Sequence, residues 1–589
     1  MRYDFHIFVD ELAKQAAQEK VSFRIIPKTK ENYHAMYYDG GQFKFIDSFH
    51  FLSSSLATLA HSIHTGKDGE DIQFKLLFAY VNENKELYNL VKAKSAFCYD
   101  FLDSEQKLEL EELPAKAEFF NSLENSEISD EMYQRAQKVW SIMGMKSLKD
   151  YLTLYLHCDT LILAEIFENF RNVSMKNFTL DPCHFVSTPS FSFHCMLRHT
   201  GVKLDLLQDM EMVNFLRSGV RGGVSGVMKR EVHRNMPDMS DYRPNMLKCE
   251  IVNLDCCSMY SFCLRSHLPV GDFRWLSDTE MKEFDLHSVA KGGDQGFILS
   301  VDLDYPTHLH DLHNDLPLAP EHYQISPADW SPYAHEVAAD LELTIRKASK
   351  KLVPHLGPRR SYVIHHETLR TYLKLGLVLV KTHRILTFTK SKFMESYIDF
   401  NTQQRQMAKS EFEISFYKLM NNSVYGKLLQ DSSKFTNFQL VSTSKKILKL
   451  TSKINFKSVT IFNSSLAGIE LKPTTVLINQ PIAVGFACLD LAKNHLYKMH
   501  YNFVMKLFGS DCELIYRDTD SLYYAISNRD EPCEDLFRFK RYFDLSNLPK
   551  SSPFYCETNH RRPGAFKHES PLDRVSDFVG LRSKMARLH

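Results

Sequence analysis

The sequence predicts an α+β chain of several domains, on three observations. Two strand-favouring runs, Cys512-Glu513-Leu514-Ile515-Tyr516 and Leu522-Tyr523-Tyr524-Ala525-Ile526, flank the turn-forming Asp518-Thr519-Asp520-Ser521. Helical text over 366–430 and 481–508 alternates with β-branched, Ser/Thr-rich text over 431–478, without an internal repeat. A chain of 589 residues also exceeds what one hydrophobic core organises.

The elements follow in order. Short strands are expected at Tyr33-Tyr38 and Phe43-Ile46, then an acidic stretch. A helix opens at Ser147-Leu148-Lys149-Asp150, where a serine and an acid three residues on make a capping box, and it carries Tyr155 and Asp159 on one face. Residues 181–235 read as a connection containing Arg221-Gly222-Gly223, whose glycines permit close backbone approach. The strand Cys249-Leu254 ends in Asp255 and is followed by strand-rich text to about 362. Residues 366–430 read as helical, placing Arg405 and Lys409 at i, i+4; residues 431–478 read as a strand hairpin.

Composition narrows the class. Lys plus Arg equals Asp plus Glu at 72 each, and because a large protein can confine a basic surface to one channel, this neutrality neither supports nor excludes a nucleic-acid partner. The twelve cysteines form no Cys-x-x-Cys pair, which argues for reduced thiols without structural zinc. The His308, His310 and His313 cluster reads as polar loop rather than metal site. No apolar run has membrane-spanning length and no signal pattern opens the chain, so a soluble, intracellular protein is expected.

Three segments fit one chemistry. Asp255, at a strand end, and Asp518 with Asp520, in a tight turn, offer the hard oxygen ligands that suit Mg²⁺. Two such ions bridging a triphosphate and an attacking hydroxyl are a recurrent arrangement for nucleotidyl transfer. Between them, Lys418, Asn422 and Tyr425 fall at i, i+4 and i+7 on one helix face, able to meet a phosphate, a sugar edge and a base.

Taken together, Asp255 with Ser258-Met259-Tyr260, the run Lys418 to Gly426 and Asp518-Thr519-Asp520-Ser521 resemble, in order and separation, the motifs of protein-primed family B DNA polymerases of organellar, viral and Polinton/Maverick type. The resemblance implies a right-hand polymerase of palm, fingers and truncated thumb behind a partial RNase H-like 3′→5′ exonuclease domain. The divisions it implies are 1–200 exonuclease-like, 201–275 connection and first palm segment, 276–362 a first terminal-protein-region-like insertion, 363–430 fingers, 431–478 a second such insertion, 479–540 palm and 541–589 the start of a thumb. It implies template-dependent addition of deoxynucleotides to a primer 3′-hydroxyl, with protein priming, in the DNA replication of a virus or mobile element.

The same resemblance assigns residues. Asp255 and Asp520 would bind two Mg²⁺ ions with Asp518 beside them. Lys418, Asn422, Tyr425, Ser258, Tyr260, Arg405 and Lys409 would bind the nucleotide, with Tyr260 excluding a ribose 2′-hydroxyl. Backbone N–H groups of Cys256 to Met259 are placed to cradle phosphates. Arg221, Gly222, Gly223 and Lys584 would contact DNA, and Asp4, Tyr155 and Asp159 would be the exonuclease remnant, with Tyr3-Asp4 resembling the end of the second exonuclease motif. The implied partners are template–primer DNA, deoxynucleoside triphosphates and a terminal protein, with no membrane.

The departures are specific. Val220 stands where the family has tyrosine, Ile414 where it often has lysine, and Ala586 where the Lys-x-Tyr motif has its aromatic. The chain opens inside the second exonuclease motif, so no proofreading is expected, and it ends soon after Ala586. An inactive, truncated DNA-binding remnant is therefore the alternative reading. A reverse transcriptase or RNA polymerase fits less well, since the aspartates are not adjacent and the Lys-to-Gly helix motif is present.

Overall fold

The computed structural model describes residues 4–64, 73–290, 292–344, 350–435, 437–571 and 575–589. These fall into two compact units, each built from separated stretches of chain. The first comprises 1–199, 403–423 and 431–477; the second comprises 200–402, 424–430 and 478–589.

In the first unit, the helix Leu148–Phe178 opens on the expected capping box of Ser147 and Asp150. Its buried positions Cys158, Ile162, Ile166, Phe170, Ser174 and Phe178 recur every four residues, so one stripe faces inward along its length. Phe170 meets Phe191 and Phe416 ring to ring. The expected strands Tyr33–Tyr38 and Phe43–Ile46 form, joined by Phe23–Pro27 in an antiparallel sheet under the helix Asp4–Glu19. That helix is not legible as helix in the sequence, because Phe5, Val9 and Ala13 find their partners far along the chain.

Those partners come from residues 431–477. The expected hairpin is instead three strands, Asn437–Val441, Ala467–Leu471 and Phe456–Ile461, with the helix Ser444–Thr451 inserted. Phe438, Leu440 and Leu466 share one core with Phe5, Val9, Ile25, Tyr33 and Met36. Asp10 accepts hydrogen bonds from Ser465 and Asn463, and Lys30 pairs with Glu470 at 3.4 Å.

The second unit holds a five-stranded antiparallel sheet in the order Phe566–His568, Cys249–Cys256, Ser521–Ser527, Cys512–Asp518, Ser225–Val227. A four-stranded sheet orders Arg359–His365, Gln295–Asp304, Val378–Ser391 and Leu268–Trp275. Residues 366–430 are therefore not helical throughout. The fourteen-residue strand Val378–Ser391 intervenes, stabilised by pairing on both edges that no local propensity reports. The helix Ile482–Met499 is apolar almost all round, as a helix buried in a core must be. Its Ala483 and Phe486 pack with Ile298, Val363, Leu386 and Phe388. Within 541–589, the strand Phe566–His568 pairs with Cys249–Cys256, and Asp577–Arg582 pairs with Met585–Leu588. Among the described residues, no helix is long and apolar enough to cross a membrane.

Candidate active site

Strand pairing brings the carboxylates together. Ser521 lies opposite Asp255 in register, and its hydroxyl donates to Asp255 Oδ1 at 2.7 Å. The Cys256 N–H donates to the Asp520 carbonyl at 3.0 Å, so the first motif strand and the acidic turn are tied on both sides. Thr519 takes a left-handed φ of 58°, and the Asp520 N–H returns to the Asp518 carbonyl at 2.7 Å. The expected strand–turn–strand unit is thus present.

Charge is concentrated here. Burial and then the nearby Asp255 carboxylate push the Asp520 carboxyl up to about 6. Asp518, on the other side of the turn, ion-pairs with Lys584 and accepts a hydrogen bond from Thr519 Oγ1 at 3.2 Å. Lys584, expected on DNA, is largely exposed and sits in the turn before Met585–Leu588.

Beyond Asp255, Ser258 adopts φ 46° and turns the chain into the short helix Met259–Leu264. The Tyr260 ring stacks on Tyr425 with centroids 4.2 Å apart and planes 6° from parallel. Burial raises the Tyr260 phenol to about 12, so it stays neutral. Lys418 and Asn422 are exposed and lie on the helix Glu411–Leu428, two turns and one turn before Tyr425. Ile414 on that helix is buried, so the family's lysine position is spent on packing here.

Two expectations need correction. Arg405 and Lys409 do not share a helix face: Arg405 ends the helix Glu395–Met407, and Lys409 lies in the link before Glu411, where its N–H donates to Glu413. Ser410 Oγ accepts from the Glu413 N–H, starting a new helix where the sequence reads as continuous. The Cys256 and Cys257 N–H groups do not form a phosphate cradle, since both are bound, to the carbonyls of Asp520 and Ala565. Arg221 is 6% exposed, and its guanidinium donates to the Gly219 and Val363 carbonyls and lies 3.7 Å over the Tyr362 ring, so its charge is engaged within the fold.

The glycines beside Arg221 act otherwise. A Cβ on Gly223 would lie 2.7 Å from Thr519 Cγ2, so only glycine lets this segment press against the acidic turn; Gly222 is open. In the first unit, Tyr155 is buried with its hydroxyl 2.6 Å from that of Tyr99, and burial raises Asp159. Tyr3 and the Asp4 side chain lie outside the described residues. His313 is buried against the Tyr305 hydroxyl at 2.8 Å, a packing role. The structure adds the contacts of Ser521 and Lys493. Ser521 is signalled by its place in the motif, and Lys493 by nothing in its apolar helix.

Comparison with known proteins now bears on this site. The family model of DNA polymerase type B, organellar and viral, matches residues 1–505.

The chain belongs to that family of DNA-directed DNA polymerases.

Solved structures agree on the fold. Phi29 DNA polymerase with primer-template DNA (post-translocation binary complex), and the same polymerase with primer-template DNA and incoming nucleotide substrates, each superpose with TM-score 0.52 at 14% identity, covering 99% of this chain and 76% of that one. An orthorhombic crystal form gives 0.50 at 14% identity, over 96% and 72%. The polymerase therefore has the right-hand type B fold. No curated protein matches it in sequence.

The donor set of this polymerase suits a divalent cation. Among the described residues, no three His, Cys, Asp or Glu side chains form a closed cage. Mg²⁺ does not require one, since one or two carboxylates completed by phosphate and water are its usual setting. Two crowded oxygen-donor side chains, one with its proton held more tightly by the other's charge, are the arrangement a cation relieves. A consequence for stability follows. With chelator present, folded Asp520 binds its proton more tightly than the unfolded chain does, so stability falls as pH rises from about 4 to about 6, and the loss is complete above that. Asp520→Asn should then be more stable than wild type at pH 7.5 by about 1–2 kcal/mol, discounted for partial solvent access, and equal to it below pH 4. Thermal melts across pH, with and without Mg²⁺, check this; a gain that persists below pH 4 would exclude the charge explanation.

Proposed function

We propose that this polymerase extends a DNA primer by two-metal nucleotidyl transfer at Asp255 and Asp520. The observation that carries the reading is the carboxylate pair that strand register crowds at one sheet end. Asp255 and Asp520 would hold the ions, and Asp518, fixed by Lys584 and Thr519, would support them from the side. When bound, the ions lower the pKa of the primer 3′-hydroxyl and neutralise charge on the pyrophosphate leaving group. Lys418 supplies a mobile cation and Asn422 an amide to the incoming triphosphate and sugar. The neutral Tyr260 ring, backed by Tyr425, closes the space a 2′-hydroxyl would need, which selects deoxynucleotides. The substrates are template–primer DNA and deoxynucleoside triphosphates. A primed-template extension assay with purified protein tests this. Absence of templated products with either Mg²⁺ or Mn²⁺ would leave the DNA-binding remnant as the better reading.

We also infer initiation from a protein hydroxyl, supported by the two insertions, since long insertions in a compact enzyme are usually functional. The second carries exposed apolar residues, Ile454 and Ile461 (75% exposed), among Lys445, Lys446, Lys449, Lys453 and Lys457. Deleting it would uncover Phe5, Val9 and Tyr33, so surface substitution is the cleaner probe. The double variant Ile454→Glu, Ile461→Glu should lower strand displacement on nicked templates several-fold while single-nucleotide addition stays within about twofold. Unchanged displacement would remove this surface from that role.

A further inference from the structure

Behind the acidic turn lies a buried lysine. Lys493 is 4% exposed in the helix Ile482–Met499, and its ammonium donates to the carbonyls of Arg221 at 2.6 Å and Leu489 at 3.1 Å. Burying an ammonium costs several kcal/mol, so its place needs a reason. The neighbouring Asp490 carboxylate offsets part of the charge while accepting the His365 N–H at 2.8 Å. Burial, together with the Arg221 and Arg517 cations, lowers Lys493 to about 8, despite Asp490. The structure thus keeps a cation at this carbonyl under strain.

What the carbonyl holds explains why. Arg221 is followed by Gly222, Gly223 and Val224. The Val224 carbonyl accepts the Thr519 N–H at 3.0 Å, and Gly223 touches the Thr519 side chain. Thr519 separates Asp518 from Asp520. From the other end, Arg221 is clamped by its own guanidinium to Gly219, Val363 and Tyr362. A continuous run of contacts therefore leads from Lys493 through the 221–224 backbone to the turn. Lys493, Gly223, Thr519, Tyr260 and Arg517 also meet around one nearly filled cavity of about 10 Å³, so the lysine and the turn share a single packed environment.

We propose that Lys493 is a positioning residue for nucleotidyl transfer: by fixing the Arg221 carbonyl it sets the backbone against which the Asp518-Thr519-Asp520 turn is held. It touches neither substrate nor carboxylates. The inference rests on the proposed catalytic role of Asp255 and Asp520.

The test compares Lys493→Met, Lys493→Arg and wild type. Direct Mn²⁺ titration followed by electron paramagnetic resonance reports the geometry of the carboxylates without turnover, and single-nucleotide kinetics separates kcat from KM. Lys493→Met should bind Mn²⁺ about tenfold more weakly and lose about 10- to 100-fold in kcat, with template–primer Kd within about twofold of wild type. Lys493→Arg, which keeps the charge and donors, should recover most of both. Because Lys493→Met removes a buried charge, Gly223→Ala probes the same contact from its other end and should also weaken Mn²⁺ binding; it decides the matter if Lys493→Met does not fold. Mn²⁺ affinity within twofold of wild type in the folded variants, even with a lowered melting temperature, would reduce Lys493 to a packing residue and overturn the proposal. Wild-type Mn²⁺ binding and extension, measured alongside, report separately on the catalytic reading.

Discussion

Asp520→Ala should abolish primer extension, lowering kcat by at least about 10³-fold, while template–primer affinity is expected to stay within about twofold of wild type. The size of the effect follows from what the side chain is and where it sits. Asp520 is one of two carboxylates that strand register places side by side, and its backbone carbonyl already anchors Cys256. Alanine retains that backbone bond and the turn, so the sheet end keeps its shape. What disappears is a negative oxygen pair beside the Asp255 carboxylate. Gel-resolved single-nucleotide addition and a fluorescence binding assay check the two halves. Extension within tenfold of wild type would end the catalytic assignment of this turn.

Tyr260→Ala should change selectivity rather than speed. The ring is held nearly parallel to Tyr425 at 4.2 Å, and stacked pairs of this kind resist rotation because both faces stay covered. Removing it opens a ring-sized space, and the discrimination between deoxy- and ribonucleotides should fall by about 10²-fold, mostly through improved KM for the ribonucleotide. Tyr260→Phe should retain most discrimination, since the clash comes from the ring and the phenol is neutral at working pH. Competitive incorporation assays measure the ratio. An unchanged ratio in Tyr260→Ala would remove the sugar-contacting role from this residue.

Much of the geometry around the carboxylates was legible because it is local. The hairpin around Asp518-Thr519-Asp520, the strand carrying Asp255 and the capping box at Ser147 are each specified within a few residues, by turn chemistry and caps. What was missed is non-local. The strand Val378–Ser391 owes its state to two neighbouring strands, and the helix Asp4–Glu19 to apolar residues more than 400 positions away. A capping serine also interrupts a run that is helical in composition, so Arg405 and Lys409, spaced i, i+4 in the sequence, lie on opposite sides of a helix break. The surroundings of Arg221 are hidden from the sequence for a different reason. Sequence shows its charge, but not that Tyr362 and two carbonyls already satisfy it.

The shared core of Phe5 and Phe438 sets a timetable for synthesis. The apolar face of the helix Asp4–Glu19 is translated first, yet Leu440 and Leu466, which cover it, emerge only after some 430 further residues. At roughly 5–20 residues per second, the first helix waits about 20–90 seconds on the ribosome before its cover exists. During that interval Phe5, Val9 and Ala13 have only the nearby Ile25, Tyr33 and Met36 to pack on, and the part of the face that Phe438, Leu440 and Leu466 later cover stays exposed apolar surface.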